Sequence, residues 1–248
     1  MSIDPVISHK FLMGRGRDQL SIEEIRMIES KVSNVIEVPA REPLACRGEK
    51  VIKSTLLLEG FACRYKNDQT GARQAVRIHV PGDFVDLHAL PLKQLDYDIV
   101  TISEVKVATF DHHDLTDITQ KSPRLANALW FSTLLDAAIH RKWIFSHGRH
   151  RAEARIANFL CEIYVRLDMV GLVTDNAFHF PLTQPDIGEV TGLTGVHVNR
   201  VLRWLRNRGL FVVDKRRIQI LDYDGLARLG QFDPNYLFPS SARPEHVP

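Results

Sequence analysis

The sequence predicts an α+β fold in which a β-rich first half is followed by a long helix and then by a helical segment that closes with two strands. Three observations support this order. Short β-prone runs separated by turn residues fill the first half, a stretch near residue 130 is apolar on more than one side, and two capped helical segments joined by a glycine follow. We therefore expect three parts, residues 1–120, 121–148 and 149–248.

Composition sets the class of protein. The 248 residues are 44% hydrophobic and 25% charged, which is enough for a sizeable core and excludes collagen-like and wholly disordered chains. The net charge of +2 is small, so only its local distribution bears on partners. Cys46, Cys63 and Cys161 are far apart and form no disulfide or zinc pattern, so we expect them to be small buried residues rather than redox switches.

The termini and the apolar runs predict a cytoplasmic location. Residues Met1–Pro5 contain no basic stretch that leads into an apolar run, so the sequence predicts no signal peptide. The longest apolar runs fall short of the roughly 18–20 residues that a membrane helix needs. We therefore expect a protein without a membrane partner.

The first half begins with a short helix over residues 18–31. Ser21 is a good N-cap, and Glu24 completes a capping box with it. Many short β-prone runs at the spacing that follows are typical of a β-sandwich or barrel. The predicted strands are Val32–Val38, Val51–Glu59, Phe61–Tyr65, Arg73–Val80, Ile99–Ser103 and Val105–Phe110.

A long helix is predicted over residues 123–146, with Pro123 in its first turn. A helix that is apolar nearly all round is covered on two sides, so we expect a second copy of the chain on one of them. The alternative is a core helix of one larger domain. The candidate dimerisation residues are Ala128, Phe131, Leu135, Ala138 and Ile139. A helix over Ala152–Val170 and a strand over Ala177–Phe180 follow.

The next segment carries capping and turn signals at close spacing. Thr183 is placed to cap a helix that ends at Thr191, Gly192 supplies a tight turn, and Thr194 is placed to cap a second helix. Small Gly188 lies where the second helix must pack closely against the first. Two helices joined by a short turn containing glycine form a helix-turn-helix.

The second of these helices separates an apolar stripe from a polar face. The stripe consists of Val198, Val201, Leu202 and Leu205. A recognition helix presents the opposite face to base edges in the major groove. We expect Arg200 to pair with guanine, Asn199 to meet adenine and Val196 to touch a thymine methyl group, with Gly195 beside them. The expected phosphate contacts are Thr183, Gln184, Thr194, His197 and Arg203.

Two further strands complete this unit. Gly209 is placed to end the helix, and Leu210–Val213 and Arg217–Leu221 are β-prone. The tip between them is basic. The wing residues expected at DNA phosphates are Lys215, Arg216 and Arg217. A basic hairpin beside a recognition helix predicts a winged helix-turn-helix that binds double-stranded DNA.

The chain resembles the Crp/Fnr family of bacterial transcription regulators over about residues 20–237. The resemblance is carried by Thr191–Thr194 with Val198–Leu202, by Pro81–Val85 and by the ending Leu221–Leu226. It implies an N-terminal β-roll like a cyclic-nucleotide-binding domain, a long dimerisation helix and a C-terminal winged helix-turn-helix. The family usually carries an Arg matching Arg200.

Two base-reading positions depart from the family pattern. A Glu is common in the family where Val196 stands, and a polar or basic residue where Gly195 stands. The preferred DNA site is therefore expected to differ from the best-known sites of the family.

The sensor half departs further from the family. Members that bind cyclic nucleotides hold the ribose with a Glu and the phosphate with an Arg beside a Ser or Thr, whereas the matching stretch Asp86–Asp98 has no Arg. Asp96 and Asp98 would repel a phosphate, and Lys93 offers a point charge without a bidentate fork. We therefore predict no cyclic-nucleotide effector and no cofactor, and another small-molecule effector stays open.

The family pattern also bears on metal-based sensing. The N-terminal cysteine cluster of the family's iron–sulfur sensors is missing here. Haem stays open, since some relatives bind it. The candidate haem ligands are His79, His88, His112 and His113, for each of which a surface or core role is the alternative.

These observations predict a sequence-specific transcription regulator that binds an inverted repeat as a homodimer, with RNA polymerase as a further candidate partner. The sequence predicts no enzymatic activity. One alternative is a cupin-like metal-dependent enzyme, although His112 and His113 are adjacent rather than alternating. The other is an effector-binding adaptor whose helix-turn-helix contacts protein.

Overall fold

The computed structural model describes residues 6–238; residues 1–5, on which the signal-peptide prediction rests, and 239–248 lie outside the described range. The chain divides into two compact units. The first contains the residues up to Asn67 together with Arg77–Ala137, and the second contains Asp68–Val76 and the residues from Ala138 onward. The three-part division into 1–120, 121–148 and 149–248 stays a prediction. Within residues 6–238, no helix is both long and apolar enough to cross a membrane.

The secondary structure follows the predicted order. The helices are α1 (Ile22–Glu29), α2 (Ala89–Leu92), α3 (His112–Lys121), α4 (Pro123–Arg149), α5 (Ala152–Met169), α6 (Gln184–Thr191), α7 (Gly195–Asn207) and α8 (Tyr223–Gly230). The strands are β1 (Val32–Val38), β2 (Pro43–Ala45), β3 (Lys53–Glu59), β4 (Ala62–Asn67), β5 (Arg73–His79), β6 (Asp98–Thr101), β7 (Val105–Asp111), β8 (Ala177–His179), β9 (Phe211–Asp214) and β10 (Arg217–Ile220).

Two antiparallel sheets form the β-structure of the first half. One has the strand order β1-β7-β3, with Ala108 opposite Val35 on one side and Leu56 on the other. The second has the order β2-β6-β4-β5. Strands β3 and β4 each bury four consecutive side chains, so both of their faces are covered. One core cluster contains Phe11, Leu56, Phe84, Phe110, Leu115 and Leu125, and another contains Leu57, Val85, Leu95, Ile99 and Val107.

The local signals at α1 are confirmed. Glu24 donates its backbone N–H to the Ser21 hydroxyl at 3.2 Å, and a carboxylate oxygen of Glu24 accepts from the Ser21 N–H at 2.9 Å. This reciprocal capping box satisfies two N–H groups that a helix start leaves unpaired.

Four elements were not predicted from the sequence: β2, α2, α3 and α8. β2 begins at Pro43, and α3 begins at His112, two residues beyond the predicted strand Val105–Phe110. The apolar pattern of α3 consists mainly of Leu115 and Ile118, so its helical period is too short to recognise.

Helix α5 forms the centre of the second unit, and most of its side chains from Ile156 to Leu167 are buried. Asn158 donates from its side-chain amide to the carbonyl of Gly230 at 2.9 Å, which ties α8 to α5. Glu162 and Arg166 are fully buried and pair at 3.1 Å. Glu162 also accepts from the indole N–H of Trp143 at 3.0 Å, so α4 and α5 are joined by a satisfied buried charge.

Candidate DNA-binding interface

Helices α6 and α7 begin and turn where the sequence predicts. Thr183 is the N-cap of α6, and Thr194 is the N-cap of α7. The hydroxyl of Thr194 accepts a hydrogen bond from the N–H of His197 at 3.3 Å. Gly192 follows α6 with φ +66°, a left-handed conformation that glycine adopts without a steric cost. The predicted helix-turn-helix is therefore present, with α7 in the position of a recognition helix.

Gly188 shows why the two helices can approach closely. A Cβ atom at this position would lie 2.6 Å from the carbonyl oxygen of Leu193. Because that contact is with backbone, no side-chain rotation could relieve it. Only glycine therefore fits at this point of α6 without displacing the turn.

The faces of α7 separate as expected. Val198, Val201 and Leu205 are buried, whereas Leu202 is half-buried. On the opposite side Val196 is 85% exposed. The exposed polar residues of this face are Arg200, Arg203 and Asn207. A helix with this division can place one face on the protein core and the other against an external surface.

A short chain of hydrogen bonds crosses the exposed face. Asn199 donates from Nδ2 to the side-chain oxygen of Gln184 at 3.1 Å, and Arg203 donates to Oδ1 of Asn199 at 3.1 Å. The amide of Asn199 therefore bridges α6 and Arg203. Arg200 has no side-chain hydrogen bond or ion pair to any residue in the 6–238 range, so its guanidinium group is available to an external acceptor.

The two capping threonines differ in what they offer to a phosphate. Thr183 donates both its N–H and its hydroxyl to one carboxylate oxygen of Asp186, each at 2.7 Å. Thr194 uses its hydroxyl oxygen only as an acceptor within the cap, which leaves the hydroxyl hydrogen for another partner. Thr183 is therefore committed to capping, and Thr194 keeps a donor.

Strands β9 and β10 form the predicted hairpin. Val213 pairs with Ile218, and Phe211 pairs with Ile220. Phe211, Ile218 and Ile220 are buried, whereas Val213 near the tip is 49% exposed. The tip residues Lys215 and Arg216 have φ values of +41° and +65°. The exposed basic residues of this wing are Lys215, Arg216 and Arg217. The wing is basic without a shielding ion pair among the described residues.

Sequence reasoning missed two residues that hold α6 in place. His147, near the end of α4, brings Nε2 to 3.0 Å from the carbonyl oxygen of Val190. Arg155 of α5 donates to the carbonyl of Thr191 at 2.6 Å. These carbonyls belong to the last turn of α6, which a helix leaves unpaired. The sequence signal nearest to them is the basic run at residues 149–151, at the junction of α4 and α5, which does not identify these contacts.

The structure divides the predicted dimerisation residues between two environments. Ala128, Leu135 and Ile139 are buried within the protomer, and Phe131 and Ala138 are half-buried. Ala128, Leu135 and Ile139 therefore lie on the side of α4 that packs on the core of its own protomer. The large apolar side chains of α4 that remain exposed are Trp130 at 64%, Leu134 at 52%, Ile144 at 72% and Phe145 at 56%.

The four candidate haem-ligand histidines all lie in the first compact unit. His79 is fully buried in β5, and burial lowers its pKa to about 3. His112 and His113 begin α3, and His88 lies beside Asp136. Among residues 6–238, no three His, Cys, Asp or Glu side chains group as metal ligands would. Cys63 and Cys161 are buried, and Cys46 is half-buried.

Two family models match the chain. A model of the Crp-like helix-turn-helix domain matches residues 154–229, which contain α6, α7 and the wing. A model of the cyclic nucleotide-binding domain matches residues 35–122. The two matched segments lie in the order in which β-structure and helix-turn-helix occur here.

Curated relatives and solved structures agree with these models. The chain is 27% identical over 229 residues to the transcriptional activator protein FnrL of Cereibacter sphaeroides, covering 89% of this chain and 88% of the relative. It is 22% identical over 210 residues to an anaerobic regulatory protein of Haemophilus influenzae, covering 85% and 81%. The structure of FixK2 from Bradyrhizobium japonicum matches with a TM-score of 0.72 at 23% identity, covering 79% of this chain and 96% of that one.

The residues of the β-structure do not fit a cyclic nucleotide at the buried arginines. Arg64 and Arg77, which the sequence analysis missed, both pair with the carboxylate of Asp136, so no free cation is left there for a phosphate. The cavity that borders Arg77 and Asp136 has a volume of about 20 Å³, which holds about one water molecule. Lys93 turns its ammonium group to the carbonyl of Leu90 at 2.6 Å.

Proposed function

Because the chain belongs to the Crp/Fnr family of DNA-binding transcription regulators, we propose that it reads an inverted repeat in double-stranded DNA as a homodimer. The observation that carries the proposal is the exposed face of α7, with an uncommitted Arg200 and a highly exposed Val196. A helix of this kind enters the major groove with its N-terminal residues against base edges.

Arg200 is the residue that we assign to base reading. Its free guanidinium group can donate two hydrogen bonds to O6 and N7 of guanine. Val196 offers a methyl surface to thymine. Asn199 is held by Gln184 and Arg203, so it acts mainly by positioning Arg203 rather than by reading adenine. This assignment moves Asn199 from the base contacts predicted from sequence to a supporting role.

Phosphate contacts surround the base-reading residues. Thr194 retains a hydroxyl donor, Gln184 retains its side-chain NH₂ group, and the wing supplies three exposed cations. Such contacts fix the position of a protein on DNA and carry no sequence information by themselves. Thr183 supports this surface by capping α6.

The second copy is proposed to pack on the exposed face of α4. This face shows a coiled-coil spacing. Leu134 follows Trp130 by four residues, Arg141 follows Leu134 by seven, and Ile144 follows Arg141 by three. The two shorter intervals are those between the a and d positions of a coiled coil, and seven residues make one full heptad. Three of the four residues are apolar. A twofold dimer presents two recognition helices one DNA turn apart, roughly 34 Å, which matches an inverted repeat.

The remaining parts of the proposal follow from this activity. We place the protein in the cytoplasm, where its DNA target and RNA polymerase are found, and assign it no catalytic activity. A protein-binding adaptor remains the competing function. Measuring DNA affinity at increasing salt concentration distinguishes the DNA-binding regulator from the adaptor, since a protein that contacts several phosphates loses DNA affinity steeply as salt rises.

Selection from sheared genomic DNA tests the proposed function. The purified protein is expected to enrich fragments that share one inverted repeat. Arg200→Ala should then lose about 1–3 kcal/mol of binding at that repeat and relax one base position in each half-site. Arg206→Ala is the matched control, because it removes the same charge from another side of α7. Enrichment of no common sequence by the folded protein, at low salt, would contradict the proposal.

A further inference from the structure

A single carboxylate of the long helix bridges two strands of the β-structure. Arg64 of β4 contacts one oxygen of Asp136 at 2.6 Å, and Nε of Arg77 of β5 contacts the other oxygen at 2.8 Å. Asp136 lies 72 residues from Arg64 and 59 residues from Arg77 in the chain. All three belong to the first compact unit. The carboxylate therefore fixes α4 to two neighbouring strands at one point.

These groups are shielded from water. Arg64 and Arg77 are each 2% exposed, and Asp136 is 6% exposed. Arg64 also donates to the carbonyl of Val85 at 2.9 Å, and its guanidinium group lies 4.3 Å from the ring centre of Tyr97. The guanidinium group of Arg64 therefore contacts Asp136, the Val85 carbonyl and the Tyr97 ring. Removal of one partner of a buried ion pair leaves an uncompensated charge.

Asp136 is the carboxylate that Arg64 and Arg77 share. Asp83 lies 3.5 Å from Arg77, and so supplies a second carboxylate to that arginine. His88 approaches Asp136 at 3.3 Å, and burial lowers its pKa, so it adds no positive charge near neutral pH. Without Asp136, Arg64 would lose its hydrogen-bonded ion pair and keep the carbonyl of Val85 and the nearby carboxyl of Asp86, whose pKa burial raises to about 7.

We propose that Asp136 is a built-in substitute for an anionic effector: its carboxylate occupies the oxyanion site formed by Arg64 and Arg77 and holds α4 in its DNA-binding position. The site would otherwise take a small oxyanion such as a carboxylate. The cavity beside it holds about one water molecule, so no larger ligand fits while Asp136 is in place. The inference rests on the proposed function, since it states that DNA binding needs no added small molecule.

Chemical rescue tests this site directly. Asp136→Ala removes the carboxylate and leaves space for formate, which carries the same group. The variant should bind the selected repeat at least about tenfold more weakly in chloride. About 100 mM formate should restore most of the affinity and raise the unfolding midpoint by a few degrees relative to chloride at equal ionic strength.

Two further variants keep the test decisive. Asp136→Asn fills the same space without charge, so it should bind DNA weakly and should not respond to formate. Asp114→Ala removes a surface carboxylate that pairs with Lys31, and should behave as the wild type in both salts. If Asp136→Ala does not fold in chloride, recovery of the folded protein in formate is measured instead. The DNA affinity of Asp136→Asn then tests the proposal, which requires weak binding by that variant.

The wild-type protein provides the second arm. The protein is unfolded, dialysed exhaustively and refolded. Native mass spectrometry should then show protein without a bound small molecule, and cyclic AMP should leave its affinity for the repeat unchanged. Wild-type affinity in Asp136→Asn, or equal effects of formate and chloride on Asp136→Ala, would overturn the proposal. If the wild type binds no DNA, the proposed function fails, whereas the formate-dependent unfolding midpoint still reports on the oxyanion site.

Discussion

The side-chain amide of Asn199 joins the two helices of the DNA-binding surface, because its Nδ2 donates to Oε1 of Gln184 at 3.1 Å while its Oδ1 accepts from Arg203. The bond ties the first turn of α6 to the second turn of α7. Arg203 is thereby held in one orientation before DNA arrives. Preorganisation of this kind lowers the entropy lost when a side chain is immobilised on binding.

Two substitutions at Asn199 separate its contacts. Asn199→Asp keeps the acceptor for Arg203 and removes the donor to Gln184, whereas Asn199→Ala removes both. We expect Asn199→Ala to weaken DNA binding by about 1–2 kcal/mol, with little change in base preference, because a side-chain hydrogen bond contributes roughly 0.5–1.5 kcal/mol. Fluorescence anisotropy with the selected repeat and its single-base variants measures both quantities. Loss of preference for adenine at one position would instead assign Asn199 to base reading.

The wing is expected to contribute affinity without selectivity. Lys215→Gln and Arg216→Gln each remove a positive charge at the exposed tip. Each replaces a long polar side chain by another at a position whose backbone is left-handed. Removing one phosphate contact should reduce the slope of log K against log salt by about 0.9. A salt titration with specific and random DNA measures this slope. The control is Arg26→Gln, an exposed arginine of α1, which should leave the slope unchanged.

If the Arg216→Gln protein loses affinity for the selected repeat but not for random DNA, Arg216 reads sequence or groove shape. Equal losses on both DNAs support a phosphate contact.

Local chemistry made much of the C-terminal unit predictable. Thr183, Gly192 and Thr194 each act on their own neighbours, so the helix boundaries could be predicted without knowledge of the fold. The apolar face of α4 could not be assigned in this way. Because α4 is apolar on two sides, the side that packs on the protomer is decided by residues far away in the sequence, and Leu135 proved to lie there.

The buried arginines show the same limit more sharply. Arg64 and Arg77 lie in strands whose own sequence could not reveal a partner on a helix 72 and 59 residues later in the chain. A charged residue in a strand is usually solvent-exposed, so the sequence of a strand alone does not predict that these side chains are buried. The ion pair with Asp136 overrides that tendency by supplying the compensating charge inside.

Asp86 should make stability fall as pH rises. Burial raises the pKa of its carboxyl to about 7, although it accepts a hydrogen bond from the Thr55 N–H at 2.6 Å. An unfolded Asp releases its proton near pH 3.9. Between these values the folded state binds more protons, so the free energy of unfolding decreases with rising pH by at most about 1.4 kcal/mol per unit and then levels off.

Asp86→Asn isolates this contribution, because the amide oxygen can still accept from Thr55. The difference in unfolding free energy between wild type and variant should shrink or reverse as pH rises from about 4 to 7. Urea denaturation at fixed protein concentration provides the comparison at each pH, since a dimer's stability depends on concentration. Asp18→Asn, at an exposed position, is the control. A difference that stays constant over this range would place the titration of Asp86 elsewhere.

Adjacent leucines of α4 offer a matched test of the dimer face. Leu134 is 52% exposed, whereas Leu135 is 6% exposed and packs in the protomer. Leu134→Ala should raise the dimer dissociation constant, since it removes apolar contact with the second copy. Leu135→Ala should instead lower the free energy of unfolding by about 2–5 kcal/mol, because it leaves a cavity in the core. Sedimentation over a range of concentrations and urea denaturation distinguish the two effects. If Leu135→Ala dissociates the dimer while fully folded, and Leu134→Ala does not, the dimer forms through the opposite side of α4.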